Sequence, residues 1–252
     1  MKYHHPRFLF RRHEIMRIIR EGESFLEIGP GDLGLALELT SKFLSGTLID
    51  FNLTDVKFIY DGLTDHYKQK LKLIIADFTQ YTHFKAKFDC VIACEVMEHI
   101  KDDSQFLHQI NTLLVEGGQL ILSVPARQKY WSADDIIVGH YRRYERQDLR
   151  EKLTKTGYSQ IKIISYGFPF QNIIRLGRIA LAKFQYMEKV NWEKDRQSQQ
   201  SAFMIKRRYH ADWIGLFVNK YTFYPFCVFA SLFNKIDLAE GYVVSARKVM
   251  ND

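Results

Sequence analysis

FLEIGPGDLG, residues 25–34, holds a strand, a glycine turn and the start of a helix. Phe25, Leu26 and Ile28 form a short apolar run around one acid, Glu27, and the run ends on Gly29. So short an apolar run predicts a strand covered on both faces, as in a parallel sheet. Gly29 and Gly31 let the backbone turn tightly and approach a ligand without a Cβ in the way. Leu33 to Phe43 then has the apolar spacing of a helix. A strand, a glycine turn and a helix open a nucleotide-binding α/β unit, although NAD enzymes use turns of this kind too.

The same pattern continues outward. GTLIDF (46–51), LKLIIADF (71–78), FDCVIACE (88–95) and GGQLILSVPA (117–126) are further apolar runs, and Asp102 to Val115 has a helical period. Upstream, residues 7–20 mix basic and apolar positions at helical spacing. Strands alternating with helices predict a doubly wound parallel sheet that binds ligands at the carboxyl ends of its strands. After Pro125 the chain is loop-like, rich in aromatics and bases, up to a helix over Glu145 to Thr156 that Gly157 stops. YSQIKIISYGF (158–168) reads as a sixth strand and EGYVVSARKVM (240–250) as a seventh. Between them lie helix candidates at Asn172–Lys189 and Trp213–Asn234, joined by the polar run EKDRQSQQS (193–201). The expected organisation is an α/β core over residues 1–167, an inserted helical cap over 168–237 and a returning strand over 238–252.

Composition narrows the classes. The 252 residues suffice for one large domain, or a domain with an insertion, and 46% are hydrophobic and dispersed. No apolar run approaches the ~20 residues of a membrane-spanning helix. The first residues, MKYHHPRFLFRRHE, lack the unbroken apolar stretch of a signal peptide, so a cytoplasmic protein is expected. Cys90, Cys94 and Cys227 have no CxxC spacing and read as reduced core residues. The net charge is +7, and Phe168 to Ile236 holds eleven Lys and Arg against four Asp and Glu, so the whole excess lies in the cap.

Acids close the early strands. Asp50, with Phe51 beside it, ends the second strand, 19 residues beyond Gly31. A carboxylate there accepts both hydroxyls of a ribose. Asp77 ends the third strand, where it meets an adenine amine, and Phe78 is placed to flank the ring. Glu27, near the end of the first strand, suits a cationic ligand group. Each acid alone reads equally well as a helix cap or a solvated loop acid; three at successive strand ends read as one cofactor site.

EIGPG, Asp50, ADF at 76–78 and FDCVIACEVMEHI around strand four resemble the class I S-adenosylmethionine-dependent methyltransferases. The resemblance spans residues 20–168 and the final strand, about 65% of the chain. It implies a Rossmann-like α/β fold of seven strands, the last antiparallel. It also implies S-adenosylmethionine as cofactor, held by Glu27, Gly29, Gly31, Asp50, Phe51, Asp77, Phe78 and Glu95. Leu33 departs from the pattern, since many members have a third glycine there.

Methyl transfer needs a nucleophile close to the methyl group and the exclusion of water. A hydroxyl acceptor also needs a base or a metal. Glu95-Val-Met-Glu98-His99 follows strand four, and helical spacing would put its two carboxylates and imidazole on one face, a set suited to Mg2+ or another divalent cation. The run resembles the ExxEH of ubiquinone-pathway O-methyltransferases and of small-RNA 2′-O-methyltransferases. The RNA enzymes add a later histidine with an aromatic four residues beyond it, matched by His140 and Tyr144. By that resemblance the metal set is Glu95, Glu98, His99 and His140, with His99, Glu98 and His140 as catalytic residues. A Glu-His pair after strand four also occurs in methyltransferases without a metal, where His99 acts as base and Glu98 orients it. Lys129, Arg142 and Arg143 suit a phosphate or carboxylate, or else a salt-bridged loop.

The cap sequence WIGLFVNKYTFYPFCVFASLFN (213–234) is aromatic, and Pro225 is expected to split it into two helices. With Lys206, Arg207 and Arg208 it suits peripheral contact with anionic lipid at the inner membrane face, an acceptor pocket with a basic rim, or plain core. The leading expectation is O-methylation of a small hydrophobic, phosphorylated or lipid-linked acceptor. RNA as acceptor lacks a recognisable RNA-binding module. A non-catalytic scaffold would not need the cofactor motif, and a dinucleotide dehydrogenase does not account for the ADF and EVMEH runs.

Overall fold

The computed structural model describes residues 4–189 and 217–250, with side chains described to residue 179 and from residue 217. In chain order the elements are α1 (Pro6–Ile18), β1 (Gly22–Ile28), α2 (Gly34–Leu39), β2 (Phe43–Asp50), α3 (Asp55–Asp61), α4 (Asp65–Lys70), β3 (Leu71–Ile75) and β4 (Phe88–Cys94). They continue with α5 (Asp103–Leu113), β5 (Leu114–Pro125), α6 (Ala133–Val138), α7 (Arg146–Lys155), β6 (Tyr158–Ser165), α8 (Phe170–Lys189), α9 (Tyr224–Ser231) and β7 (Gly241–Lys248). Short 3-10 turns lie at Met97–His99 and Gln128–Tyr130.

The strands form one seven-stranded sheet in the order β3-β2-β1-β4-β5-β7-β6. β1 to β5 pair in parallel. The Tyr166 amide donates to the Gly241 carbonyl, and the Val249 amide donates to that of Gly157. Those two bonds require β7 to run opposite to β6, as expected of the last strand.

Chain contacts divide the molecule into two units. One comprises Ile19–Ser123, Gln147–Lys162 and Val244–Asp252. Its core is the apolar strand interior: Phe25, Leu26 and Ile28 of β1, Leu48 of β2, Val91 and Ile92 of β4, and Leu120 to Leu122 of β5 are buried. The Phe25 ring lies over Gly46, where a Cβ would stand 2.3 Å from its Cζ. Only glycine lets the ring fill that space. Asp102 caps α5 by accepting the Gln105 amide at 2.9 Å. β1 has β2 on one side and β4 on the other, so strand order reverses here, where doubly wound sheets bind ligands.

The other unit comprises Met1–Ile18, Val124–Arg146 and Ile163–Val243. Its apolar contacts join α1 to α8 and α9. Phe10 stacks on Phe170 at 5.9 Å and meets Phe223 edge-on at 5.2 Å. Pro225 stands in the first turn of α9, where its missing N–H costs nothing. Residues 213–216 and Lys206, Arg207 and Arg208 lie outside the described residues. All three cysteines are buried and outside any disulfide, and burial pushes the Cys227 thiol up to about 12.

Candidate cofactor and catalytic sites

The turn after β1 is built from left-handed residues. Gly29 has φ +67°, Gly31 φ +55° and Leu33 φ +61°. Gly29 has two reasons to be glycine, because a Cβ there would also stand 2.8 Å from Cγ2 of Val96. At Gly31 a Cβ would meet nothing within 4 Å, so conformation alone favours glycine. Leu33 takes the left-handed state at the start of α2, and its side chain is fully buried. Core burial holds it against a backbone preference of about 1–2 kcal/mol. Asp32 steadies the turn by accepting the Gly34 amide at 3.0 Å.

Asp50 stands at the end of β2, beside this turn. It accepts the Asn52 amide at 2.8 Å, and the backbone amides of Asn52, Gly31 and Phe51 favour its ionised form. Burial raises its carboxyl to about 6, partly opposed by those amides. Phe51 is exposed next to it. Asp77 is also exposed, and its Oδ1 accepts both the amide and the hydroxyl of Thr79 at 2.8 Å. Phe78 points inward, buried against Phe106 and Phe84, instead of lying open at the strand end. Glu27 is buried within β1.

Past β4 the chain does not continue as a helix. Glu95 has φ +58°, and the following 3-10 turn holds only Met97, Glu98 and His99. Helical spacing therefore does not set Glu95, Glu98 and His99 on one face. Glu95 is tied to β5: its amide donates to the Ser123 carbonyl at 2.9 Å, and Ser123 Oγ donates to its Oε1 at 2.8 Å. Met97 and Glu98 are fully buried and His99 is half-buried.

His140 belongs to the other unit, in a buried polar network. Its Nδ1 lies 2.8 Å from Oδ1 of Asp135, which Arg143 Nε also reaches at 2.8 Å. Burial alone would raise Asp135, but the His140 hydrogen bond and the Arg143 charge outweigh it and hold the carboxyl at about 2. An ionised Asp135 only accepts, so Nδ1 carries the hydrogen of this bond. Asp135 also closes a capping box at the start of α6, accepting the Ser132 amide at 2.9 Å. Nearby, Arg178 joins Asp134 (3.2 Å) to the buried Glu240 (2.9 Å).

Residues 2–163 match the family model for a methyltransferase domain. The chain belongs to the methyltransferase domain family. Among curated proteins, this chain is 27% identical over 106 residues to the probable (S)-tetrahydroprotoberberine N-methyltransferase 2 of Papaver bracteatum, covering 41% of this chain and 29% of that one. It is 26% identical over 106 residues to the pavine N-methyltransferase of Thalictrum flavum subsp. glaucum, covering 41% and 30%. The matched stretch thus spans less than a third of each relative's length. Among solved structures, phosphoethanolamine N-methyltransferase 2 of Haemonchus contortus, in complex with phosphomonomethylethanolamine and S-adenosylhomocysteine, superposes with a TM-score of 0.60 at 15% identity, over 96% of this chain and 52% of that one. The YcgJ protein of Bacillus subtilis superposes with 0.58 at 12% identity, over 96% and 99%. At these identities the likeness is one of fold.

Sequence reasoning missed Asp135, Arg127, Arg175 and Glu240. Asp135 had a usable signal in the Ser132-x-x-Asp135 capping pattern. Arg175 and Glu240 lie 65 positions apart, and nothing local in the sequence joins them.

Proposed function

We propose that this methyltransferase acts on a hydroxyl of a small hydrophobic or phosphorylated acceptor, a lipid-linked one included, with S-adenosylmethionine as donor. The observation that carries the reading is the joining of the glycine turn to the end of β2, where the Gly29 amide donates to the Ile49 carbonyl at 2.9 Å next to Asp50. S-adenosylmethionine, when bound, would supply an activated methyl group for transfer to the acceptor oxygen. Asp50 accepts the ribose hydroxyls, Asp77 meets the adenine amine beside Phe51, and Glu27 faces the cationic amino-acid end. Gly29 and Gly31 leave room for the ligand against the backbone. His99 takes the acceptor's proton, and Glu98 and Glu95 hold the turn that presents it.

A divalent cation such as Mg2+ is the finer form of this reading, held by Glu95, Glu98, His99 and His140. The hard carboxylate and imidazole donors suit it. The Asp135 hydrogen bond on His140 Nδ1 is the outer support that metal-binding histidines use. A second acceptor class, an amine, is favoured by one observation: both curated relatives are named N-methyltransferases.

The second unit's apolar surface supports peripheral contact with anionic lipid. α9 is apolar on nearly every side, yet Tyr224, Phe226, Val228 and Phe229 are exposed, with Leu232 just beyond, and Lys220 and Lys235 flank it. Among the described residues no helix is long and apolar enough to cross a membrane.

The test is S-adenosylmethionine with a labelled methyl group, incubated with the protein and a fractionated lysate, with and without chelator. Label in the lipid or small-molecule fraction is expected, and its loss with chelator would support the metal set. Label in RNA, or no transfer despite cofactor binding, would sink the reading.

A further inference from the structure

Three cations converge on one aromatic ring. The Arg127 guanidinium carbon lies 5.8 Å from the centroid of Tyr130, Lys129 Nζ 5.3 Å and the Arg175 guanidinium carbon 4.8 Å. The ring is held firmly. Tyr130 Oη donates to the Leu238 carbonyl at 2.9 Å, and Arg175 Nη2 donates to the Tyr130 carbonyl at 2.7 Å. Asn172 reaches the same hydroxyl at 3.4 Å.

The nearby acids are already engaged. Asp135 serves Arg143 and His140, Asp134 serves Arg178, and Glu240 receives Arg178 at 2.9 Å, leaving Arg175 Nε 3.8 Å away. Among the described residues Arg127 and Lys129 have no carboxylate partner, and the buried Arg127 Nε has no hydrogen-bond acceptor. One aromatic face attracts a cation, but three gathered on it repel one another unless an anion joins them.

The backbone of Arg127 adds a second, independent sign. Its φ is +62° with ψ 110°, outside the ordinary regions for a side chain with a Cβ. Its amide donates to the Tyr144 carbonyl at 2.8 Å, which fixes the strained conformation. Glycine would take that conformation at lower cost, so the arginine side chain is what the position gains.

We propose that Arg127, Lys129 and Arg175, arrayed around Tyr130, form a phosphate-binding subsite. A phosphomonoester brings nearly two negative charges at neutral pH and three acceptor oxygens, matching the two unpaired cations and the half-engaged Arg175. The subsite deepens the reading of a phosphorylated acceptor and rests on it. The phosphate belongs either to a small soluble acceptor or to a lipid headgroup.

Calorimetric titration of the full chain with inorganic phosphate and with phenyl phosphate tests the proposal, at ionic strength held constant with chloride. Saturable binding is expected. Arg127→Gly should weaken it about tenfold or more, the loss of one charge-assisted contact. The same variant should melt no lower than the parent, because it relieves the backbone, so a folding defect cannot imitate the result. Lys129→Gln should weaken it in the same direction. Phosphate affinity equal in parent and Arg127→Gly, or no heat beyond that of chloride, would overturn the subsite. Co-sedimentation with phosphatidylcholine vesicles, with and without phosphatidic acid, separates the sources: retention only on phosphatidic acid, lost in Arg127→Gly, assigns a lipid phosphate. S-adenosylmethionine titrated into the same samples keeps the two readings apart. Cofactor binding without a phosphate response overturns the subsite alone. Phosphate binding without cofactor binding supports the subsite and overturns the methyl-transfer reading.

Discussion

Oδ1 of the buried Asp135 lies 2.8 Å from Nδ1 of the buried His140 and accepts a hydrogen bond from its N–H. One carboxylate thereby sets the tautomer of a ring, neutralises Arg143 and caps α6. Its carboxyl titrates at about 2 against 3.8 for the ordinary group. A depressed acid contributes stability that is present above the unfolded value and lost as pH falls through the folded one. The parent should therefore lose roughly 2 kcal/mol between about pH 4 and 2 from this group. Asp135→Asn leaves a buried guanidinium without its counter-charge and should cost about 3–5 kcal/mol at neutral pH, read by urea unfolding. A loss under about 1 kcal/mol would mean that the pair contributes little.

Asp50 makes the opposite pH prediction. Its carboxyl is raised to about 6, so the folded chain loses stability from this group as pH rises from about 4 through 6. Ribose hydroxyls need the ionised form to accept from both. Affinity for S-adenosylmethionine should thus fall between pH 7 and 5. Asp50→Asn should bind about tenfold more weakly at pH 7 and lose the pH dependence. An Asp50→Asn variant with the parent's pH profile would remove Asp50 from the cofactor site.

Gly29 and Gly31 should respond differently to alanine. Gly29→Ala meets both a left-handed backbone and the Val96 side chain, and a loss of about 2–3 kcal/mol is expected. Gly31→Ala meets only the backbone preference, about 1 kcal/mol. Thermal melts of the two variants compare the sites directly, and equal losses would contradict the close approach at Gly29.

His99→Ala should keep cofactor affinity and lose turnover by about two to four powers of ten, as expected for a general base. Unchanged turnover with a functional acceptor would sink that role. A loss of cofactor binding in calorimetry would instead place His99 in the binding machinery.

The sheet was legible because each buried strand is a nearly unbroken apolar run ending in glycine or an acid, and Asp50 and Asp77 fall at strand ends as read. The turn after β4 was not legible. The i, i+3, i+4 spacing of Glu95, Glu98 and His99 suggests a helix, but the left-handed Glu95, bonded to Ser123 on β5, breaks it through a long-range contact. Phe78 looked available for an adenine ring, but Phe106, 28 residues on, draws it into the core. Arg143, read as an anion contact or a salt-bridged loop residue, proved to be the buried partner of Asp135. The cations around Tyr130 come from two segments 45 residues apart, a distance that no local pattern spans.

Three left-handed residues within five, at 29, 31 and 33, leave the glycine turn little freedom. Its shape is settled when the chain folds, with Leu33 anchored in the core and the Gly29 amide given to the Ile49 carbonyl. Entropy that many binding loops surrender on meeting a ligand has here been surrendered beforehand. On the proposed reading, a nucleoside arriving at this turn would meet a socket already shaped for it.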